Sequence, residues 1–409
     1  MSGNEKNVPK RRFKEFQNAE GWEQRKFSEL FTTLQNNALS RAELNFEQGV
    51  ARNVHYGDVL IKFGELLDVS KEEIPFIIDN TCVSKYKSSF LRNGDVIIAD
   101  AAEDETVGKC SEIVGLTTQT VISGLHTIPC RPVKAFASGY LGFYMNSNAY
   151  HDQLLPLIQG TKVSSISKSA LNDTVIISPK SIEEQTLMAK YFTSLDNLIT
   201  IHQRKLEKIK ALKKAYLTEM FPAEGARKPK RRFAGFTDDW KLCKIKQVCS
   251  ISTGKSNTQD RIDDGIYPFY VRSPIIEHSN RYLYDEEAVL TVGDGVGTGK
   301  VFHYVNGKYD LHQRVYRMFD FINGTSGKYF YYYFSNHFYD RVMSMTAKTS
   351  VDSVRLEMIS EMDIMLPTEK EQVVIADFFD NLNNLITLHQ RKLEKLQNIK
   401  KAYLNEMFI

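Results

Sequence analysis

From position 195 to position 220 the chain carries a stripe that advances by alternating steps of four and three: Leu195, Ile199, His202, Leu206, Ile209, Lys213, Tyr216 and Met220. A period near 3.5 keeps one mostly apolar stripe facing a partner helix, which is the pattern of a coiled-coil seam. The surrounding stretch has no Pro or Gly and is rich in Leu, Lys, Glu, Gln and Ala, so it predicts one long helix. The same stripe returns as Leu382, Ile386, His389, Leu393, Leu396, Lys400, Tyr403 and Met407, every position 187 residues further on. His202 and Lys213 interrupt the stripe, and so do their counterparts His389 and Lys400. Lys213 either lies at the edge of the seam and snorkels, or it is a polar seam residue that sets register. Each helix is expected to be on the order of 55 Å long, and two such helices in one chain can pair with each other.

The repetition extends well beyond the stripe. Glu184-Gln185 returns as Glu371-Gln372, and the run from Lys213 to Phe221 returns from Lys400 to Phe408 with nearly the same residues. Upstream, Pro9-Lys-Arg-Arg-Phe13-x-x-Phe16 recurs as Pro229-Lys-Arg-Arg-Phe233-x-x-Phe236, each soon followed by one of the two tryptophans, Trp22 and Trp240. The linker from Pro222 to Pro229 ends the first helix, because Pro and Gly do not continue it cheaply.

Between these landmarks lie two regions of irregular pattern, far less alike than the helices. Correspondences survive: Gly108-Lys109 with Gly299-Lys300, Leu125-His126 with Leu311-His312, and Lys162-Val-Ser164 with Lys348-Thr-Ser350. Short β-type runs such as 94–98 and 287–292 sit beside turn residues, and aromatic helices are expected over 140–155 and 328–345. The fold class is therefore α+β, an internal duplication of a mixed α/β globule followed by a long helix. Duplicated parts that stay alike are expected to serve one shared partner, and parts that diverge to meet different targets.

Composition narrows this picture. A chain of 409 residues with 42% hydrophobic and 11% aromatic residues can bury real cores in two or three domains. No apolar run approaches the roughly 20 residues needed to span a membrane, and residues 1–12 are polar and basic, unlike a signal peptide. Five cysteines with no CxxC spacing are expected as free thiols, which points to the cytoplasm. The net charge of +3 is low for a dedicated DNA-binding domain, so any DNA-facing charge must be concentrated on a few surfaces.

With these landmarks the chain resembles the specificity subunit of type I restriction-modification systems. The residues that carry the resemblance are the Lys-Arg-Arg-Phe-x-x-Phe openings with their tryptophans, the Pro179…Glu184-Gln185 and Pro367…Glu371-Gln372 helix starts, and the two Leu-x-x-x-Gln-Arg-Lys-Leu-Glu helices. Nearly the whole chain is covered. The resemblance implies two target-recognition domains, over 1–180 and 222–366 (the second with its linker), each reading half of a split, asymmetric site on double-stranded DNA. It also implies that the helices over 181–221 and 367–409 pack antiparallel as a coiled-coil spacer and bind two methyltransferase subunits, with restriction and translocation subunits joining them. S-adenosylmethionine, ATP and Mg²⁺ would belong to those partners, leaving this chain without cofactor or catalytic residue.

Side-chain chemistry agrees with a non-catalytic role. No Asn-Pro-Pro-Tyr or Asp-Pro-Pro-Tyr motif for base methylation occurs, and no His/Cys cluster has metal-ligand spacing. The glycine run Gly293-Asp-Gly-Val-Gly-Thr-Gly299-Lys300 falls short of a P-loop, since Asp294 stands where its first Gly is required and Val301 where Ser or Thr is required. A turn between strands close to a DNA backbone is expected there.

Candidate DNA contacts are Lys and Arg for phosphates and Arg, Lys, Asn, Gln, Ser and Thr for base edges. In the second globule they are Lys255, Ser256, Asn257 and Gln259 in one polar loop; Lys300, His303, His312, Gln313, Arg314 and Arg317 around the glycine run; and Lys348, Thr349, Ser350 and Arg355 before the second helix. In the first globule they are Lys85, Lys87, Arg92, Lys109, His126, Lys162, Ser164, Ser165 and Lys168. For any one of them a solvated surface charge is the alternative. Two rival functions remain open: a coiled-coil adaptor without DNA recognition, and a nucleotide-using enzyme built on the glycine run.

Overall fold

The computed structural model describes residues 7–160, 162–223, 225–295, 297–345 and 353–409. Four helices frame the two globules: α1, Tyr140–Met145; α2, Ile182–Glu219; α3, Gly327–Ser344; and α4, Glu369–Met407. The chain divides into two units, one made of Met1–His202 with Lys392–Ile409 and the other of Gln203–Arg391. Both division points fall inside the long helices, so each unit owns part of α2 and part of α4.

The first unit contains a five-stranded sheet in the order 31–33, 127–132, 96–99, 110–114, 66–68 and a four-stranded sheet in the order 121–123, 52–54, 76–77, 44–45. Its main core gathers Trp22, Phe27, Tyr140, Tyr144 and Phe192 around the tail of α4, whose Met407 and Phe408 are buried there. Tyr191 stacks on Tyr403 and Phe192 on Phe408, so the N-terminal half of α2 runs beside the C-terminal end of α4.

The second unit is built on a six-stranded sheet in the order 250–253, 315–319, 284–292, 302–311, 267–270, 276–279. Only the 267–270 and 302–311 pair in it is parallel. α3 lies on this sheet and buries Tyr329, Phe330, Tyr332, Tyr333 and Phe334, so the aromatic run is core and not a base-stacking platform. Met220 and Phe221 at the end of α2 join that core, and Tyr216 meets Phe378 of α4 edge-on at 5.0 Å. Here the C-terminal half of α2 faces the N-terminal half of α4. The two helices therefore pair antiparallel.

The seam read from the sequence is the buried one. Leu195, Leu206 and Met220 are buried and Ile199, His202, Ile209, Lys213 and Tyr216 half-buried, with exposed residues between them. The repeated Glu-Gln start also finds its reason. The Arg12 guanidinium donates from Nε and Nη2 to the buried Glu184 carboxylate at 2.6 and 2.7 Å, and Arg232 does the same to Glu371 at 2.6 and 2.7 Å. Such two-point pairing gives both carboxylate oxygens a charged donor away from water. Gln185 accepts from Ala137 N and donates to Pro179 O, while Gln372 accepts from Ser326 N and donates to Pro367 O. Arg11 lies over the Tyr403 ring and Arg231 over Tyr216. The basic opening motifs are staples between globule and helix.

One expected element is shorter than its pattern. The helix over 140–155 breaks into Tyr140–Met145 and Asn148–His151. Asn146 turns its carboxamide to the backbone of Cys110, accepting from N at 3.0 Å and donating to O at 2.8 Å, and Ser147 Oγ donates to Tyr144 O at 2.6 Å. Short polar side chains that bond the backbone compete with helix propagation.

Candidate nucleic-acid interface

In the second unit, strands 284–292 and 302–311 form a long antiparallel pair joined by the glycine run. No helix follows that run, so it lacks the helix N-terminus on which a phosphate cradle depends. It is a hairpin connection, and Gly295 and Gly299 take the positive φ that its turns require.

The polar loop 254–260 lies against the neighbouring strand ends. Lys255 N and Ser256 N donate to Leu311 O, and Gln313 N donates to Ser256 O at 2.9 Å. This approach depends on Gly254, where a Cβ would sit 2.1 Å from Leu311 O. Beneath the loop, Ser256 is buried and donates from Oγ to Asp310 at 2.5 Å. Arg281 reaches Asp310, Ser256 Oγ and Asp260 at 3.4, 3.1 and 2.9 Å. Above it, Lys255, Asn257 and Gln259 are exposed.

A second group sits beside this loop. Asp294 of the glycine run holds Arg272 at 3.3 Å and Arg314 at 3.8 Å, the latter 66% exposed. His312 is buried under them, and its Nδ1 accepts from Arg314 N at 3.0 Å. Burial first, then the charges of Arg272 and Arg314, hold the His312 pKa below its ordinary value, so the ring is neutral at pH 7. Lys300 is exposed and lies over the Tyr339 ring at 4.8 Å, and Arg355 is exposed.

Several sequence candidates are turned at least partly into the fold. Arg317 is paired with Glu286, donates to Ser252 Oγ at 2.8 Å and lies over the Tyr284 and Phe319 rings. Ser256 and His312 are spent on holding the loop and its neighbours, and His303 is half-buried against Tyr270 with a lowered pKa caused by burial. Lys109 donates to Leu60 O at 2.8 Å, and burial lowers its pKa as well. Lys348, Thr349 and Ser350 lie outside the described residues.

In the first unit the exposed candidates are dispersed. Lys85 and Lys87 project from the 3₁₀ segment Asn80–Ser89, with Arg92 just beyond it. Ser164 and Ser165 pair with Ala102 and Ala101, next to Lys162 and Lys168. His126 has a positive φ of 54° and lies 3.2 Å from Asp100 and edge-on to Tyr56. Nearby, Arg41 makes a two-point pair with Asp58 at 2.7 and 2.8 Å, and Asn36 donates to Gly124 O. Arg41, Asn36, Arg272 and Arg281 were not among the sequence candidates. Arg272 follows a strand that joins its sheet in parallel, and no local signal announces that pairing.

Among the described residues no group of three or more His, Cys, Asp or Glu side chains could hold a metal ion, and no helix is long and apolar enough to cross a membrane.

Comparison with known proteins points to one family. The family model for the type I restriction modification DNA specificity domain matches residues 19–211 and 237–398. The type I restriction enzyme EcoDI specificity subunit of Escherichia coli is 26% identical over 165 residues, 40% of this chain and 36% of that protein. The match thus spans little more than a third of that relative's length. The putative type I restriction enzyme MjaX specificity subunit of Methanocaldococcus jannaschii is 20% identical over 419 residues, 94% of this chain and 92% of that one. The S subunit of a type I restriction-modification system from M. genitalium shares the fold, with a TM-score of 0.65 at 12% identity over 98% of this chain and 99% of that one.

Proposed function

The chain belongs to the type I restriction-modification DNA specificity family, and from that premise we propose that it is the non-catalytic subunit that reads a two-part, asymmetric site on double-stranded DNA and holds the modifying subunits there. Each globular unit reads one half of the site through its own polar loops. The paired helices carry two copies of one methyltransferase subunit, and restriction subunits join that assembly in the cytoplasm. S-adenosylmethionine, ATP and Mg²⁺ are bound by those partners.

The observation that carries this reading is a second apolar stripe on the long helices, outside the seam. Leu187, Leu198 and Ile201 of α2 are 37, 44 and 46% exposed, and their counterparts Val374, Leu385 and Leu388 of α4 are 37, 43 and 45% exposed. Residues 11 and 3 positions apart share one helical face. Two matching exposed stripes suit two copies of one partner, since water-facing apolar groups in a fixed pattern favour a binding surface. The globules have diverged far more than the helices, as expected if they meet different sequences.

Titration of the chain with the methyltransferase subunit, followed by native mass measurement, tests this. Two copies are expected on the wild-type chain, one on Leu385→Glu, and none on the variant carrying both Leu198→Glu and Leu385→Glu. Saturation at one copy on the wild type, or full assembly of the double variant, would defeat the proposal.

A further inference from the structure

We infer that Asn257 is the adenine-reading residue of the second unit, with Gln313 as the residue that positions it. The inference rests on the proposed DNA-reading role and assigns one base within one half-site.

Three features converge on this pair. Gln313 Nε2 donates to Asn257 Oδ1, although the residues are 56 positions apart. That bond orients the Asn257 carboxamide. Its oxygen is turned toward Gln313 with a second lone pair to spare, and Nδ2 has no partner among the described residues. The outer edge of Asn257 is therefore one donor beside one acceptor. Adenine presents the complementary pair in the major groove, an N7 acceptor beside an N6 amino donor, and a carboxamide meets both at once.

The backbone beneath is held from several sides. Asn257 N donates to Asp260 Oδ2 at 2.8 Å, and Asp260 is held by Arg281 at 2.9 Å. Gln313 N is tied to Ser256 O. A reader whose orientation is fixed before contact loses little conformational freedom on binding, and its hydrogen bonds discriminate sharply. Lys255 and Arg314 stand exposed beside Asn257 and Gln313 in sequence. They supply positive charge for flanking phosphates, which fixes position but carries no sequence information.

The test uses the full complex with its methyltransferase subunits and reads base preference on a duplex library randomised at each target position. Asn257→Ala should lose discrimination at a single adenine of one half-site by about tenfold or more. Asn257→Asp replaces the donor with an acceptor and should shift that position toward cytosine, whose N4 amino group a carboxylate accepts. Gln313→Glu offers Asn257 an acceptor, turns its carboxamide over and should weaken the same position alone. All other positions and the second half-site should be unchanged, an outcome that a purely structural role would not produce.

If Asn257→Asp keeps the wild-type preference, or if the variants weaken binding equally on every sequence, the assignment is wrong while the two-part recognition stands. A wild-type complex without any sequence preference would instead overturn the recognition role, and this inference with it.

Discussion

Lys213 and Lys400 occupy the same place in two copies of one helix, yet their surroundings differ. Lys400 Nζ lies 2.6 Å from both Glu65 and Asp196 in a largely buried cluster. Burial lowers its pKa, but the two carboxylates outweigh that and hold it above its ordinary value. The counterpart of Asp196 is Asn383, which donates to the Tyr332 hydroxyl at 2.8 Å. Lys213 is half-buried with its pKa lowered by burial, and it makes no ion pair among the described residues. Lys400→Met would leave two carboxylates facing each other without a cation and is expected to cost about 3 kcal/mol. Lys213→Met should be neutral or stabilising by up to about 1 kcal/mol, since a half-buried cation with no ion pair among the described residues gives way to an apolar side chain. Chemical denaturation of both variants decides this, and equal losses would refute the distinction. The stripe marked both lysines as interruptions. Only the fold separates them, because Glu65 comes from a distant part of the chain.

Among elements, α1 shows how a cap can carry a titration. Glu112, on strand 110–114, is buried and accepts from Gly139 N at 2.6 Å and Gly142 N at 2.9 Å at the start of α1. Burial outweighs these donors and pushes its carboxyl up to about 7, from 4.5 as an ordinary glutamate. The folded state thus holds this proton more tightly than the unfolded chain does. Its contribution to stability is fully present below about pH 4.5, falls as pH rises to about 7, and is constant above that. Glu112→Gln cannot ionise and should match the wild type near pH 4.5, then gain on it through that window. Parallel stability curves for the two proteins between pH 4.5 and about 7 would contradict this. Neither the cap nor the break of the helix at Asn146 was legible in the sequence, since both depend on strand 110–114 lying alongside.

For the whole molecule, the chain passes from one unit to the other inside the long helices, at positions 202/203 and 391/392. Inserting four residues after His202 and four after Arg391 adds about 6 Å to each connection. It turns each helix only about 40° beyond a full turn, so the seam is largely kept. On the proposed two-part reading, and with DNA rising about 3.4 Å per step, the unspecified gap between half-sites should widen by roughly two base pairs. The half-sites themselves should not change, since no loop has moved within its globule. Single-residue insertions should instead turn the stripe by about 100° and damage folding. Methylation mapping of the four-residue variant reads the gap directly, and full activity at the original gap would show that the helices do not set it.

The sequence by itself determined the duplication, the extent of both long helices, their seam and the family resemblance. These follow from short-range periodicity and from matching positions 187 apart, which folding does not alter. The linker and the glycine hairpin were legible for the same reason, because Pro and Gly act on the backbone where they stand. Tertiary structure decided which polar side chains are free. Ser256, Arg317 and Lys109 read like DNA contacts, but each is taken up by a partner that only the fold supplies. Arg272 entered the surface through a parallel strand pairing, and Gln313 met Asn257 across 56 residues. A residue's type limits what it can bond, whereas long-range pairing determines whether that capacity is already used.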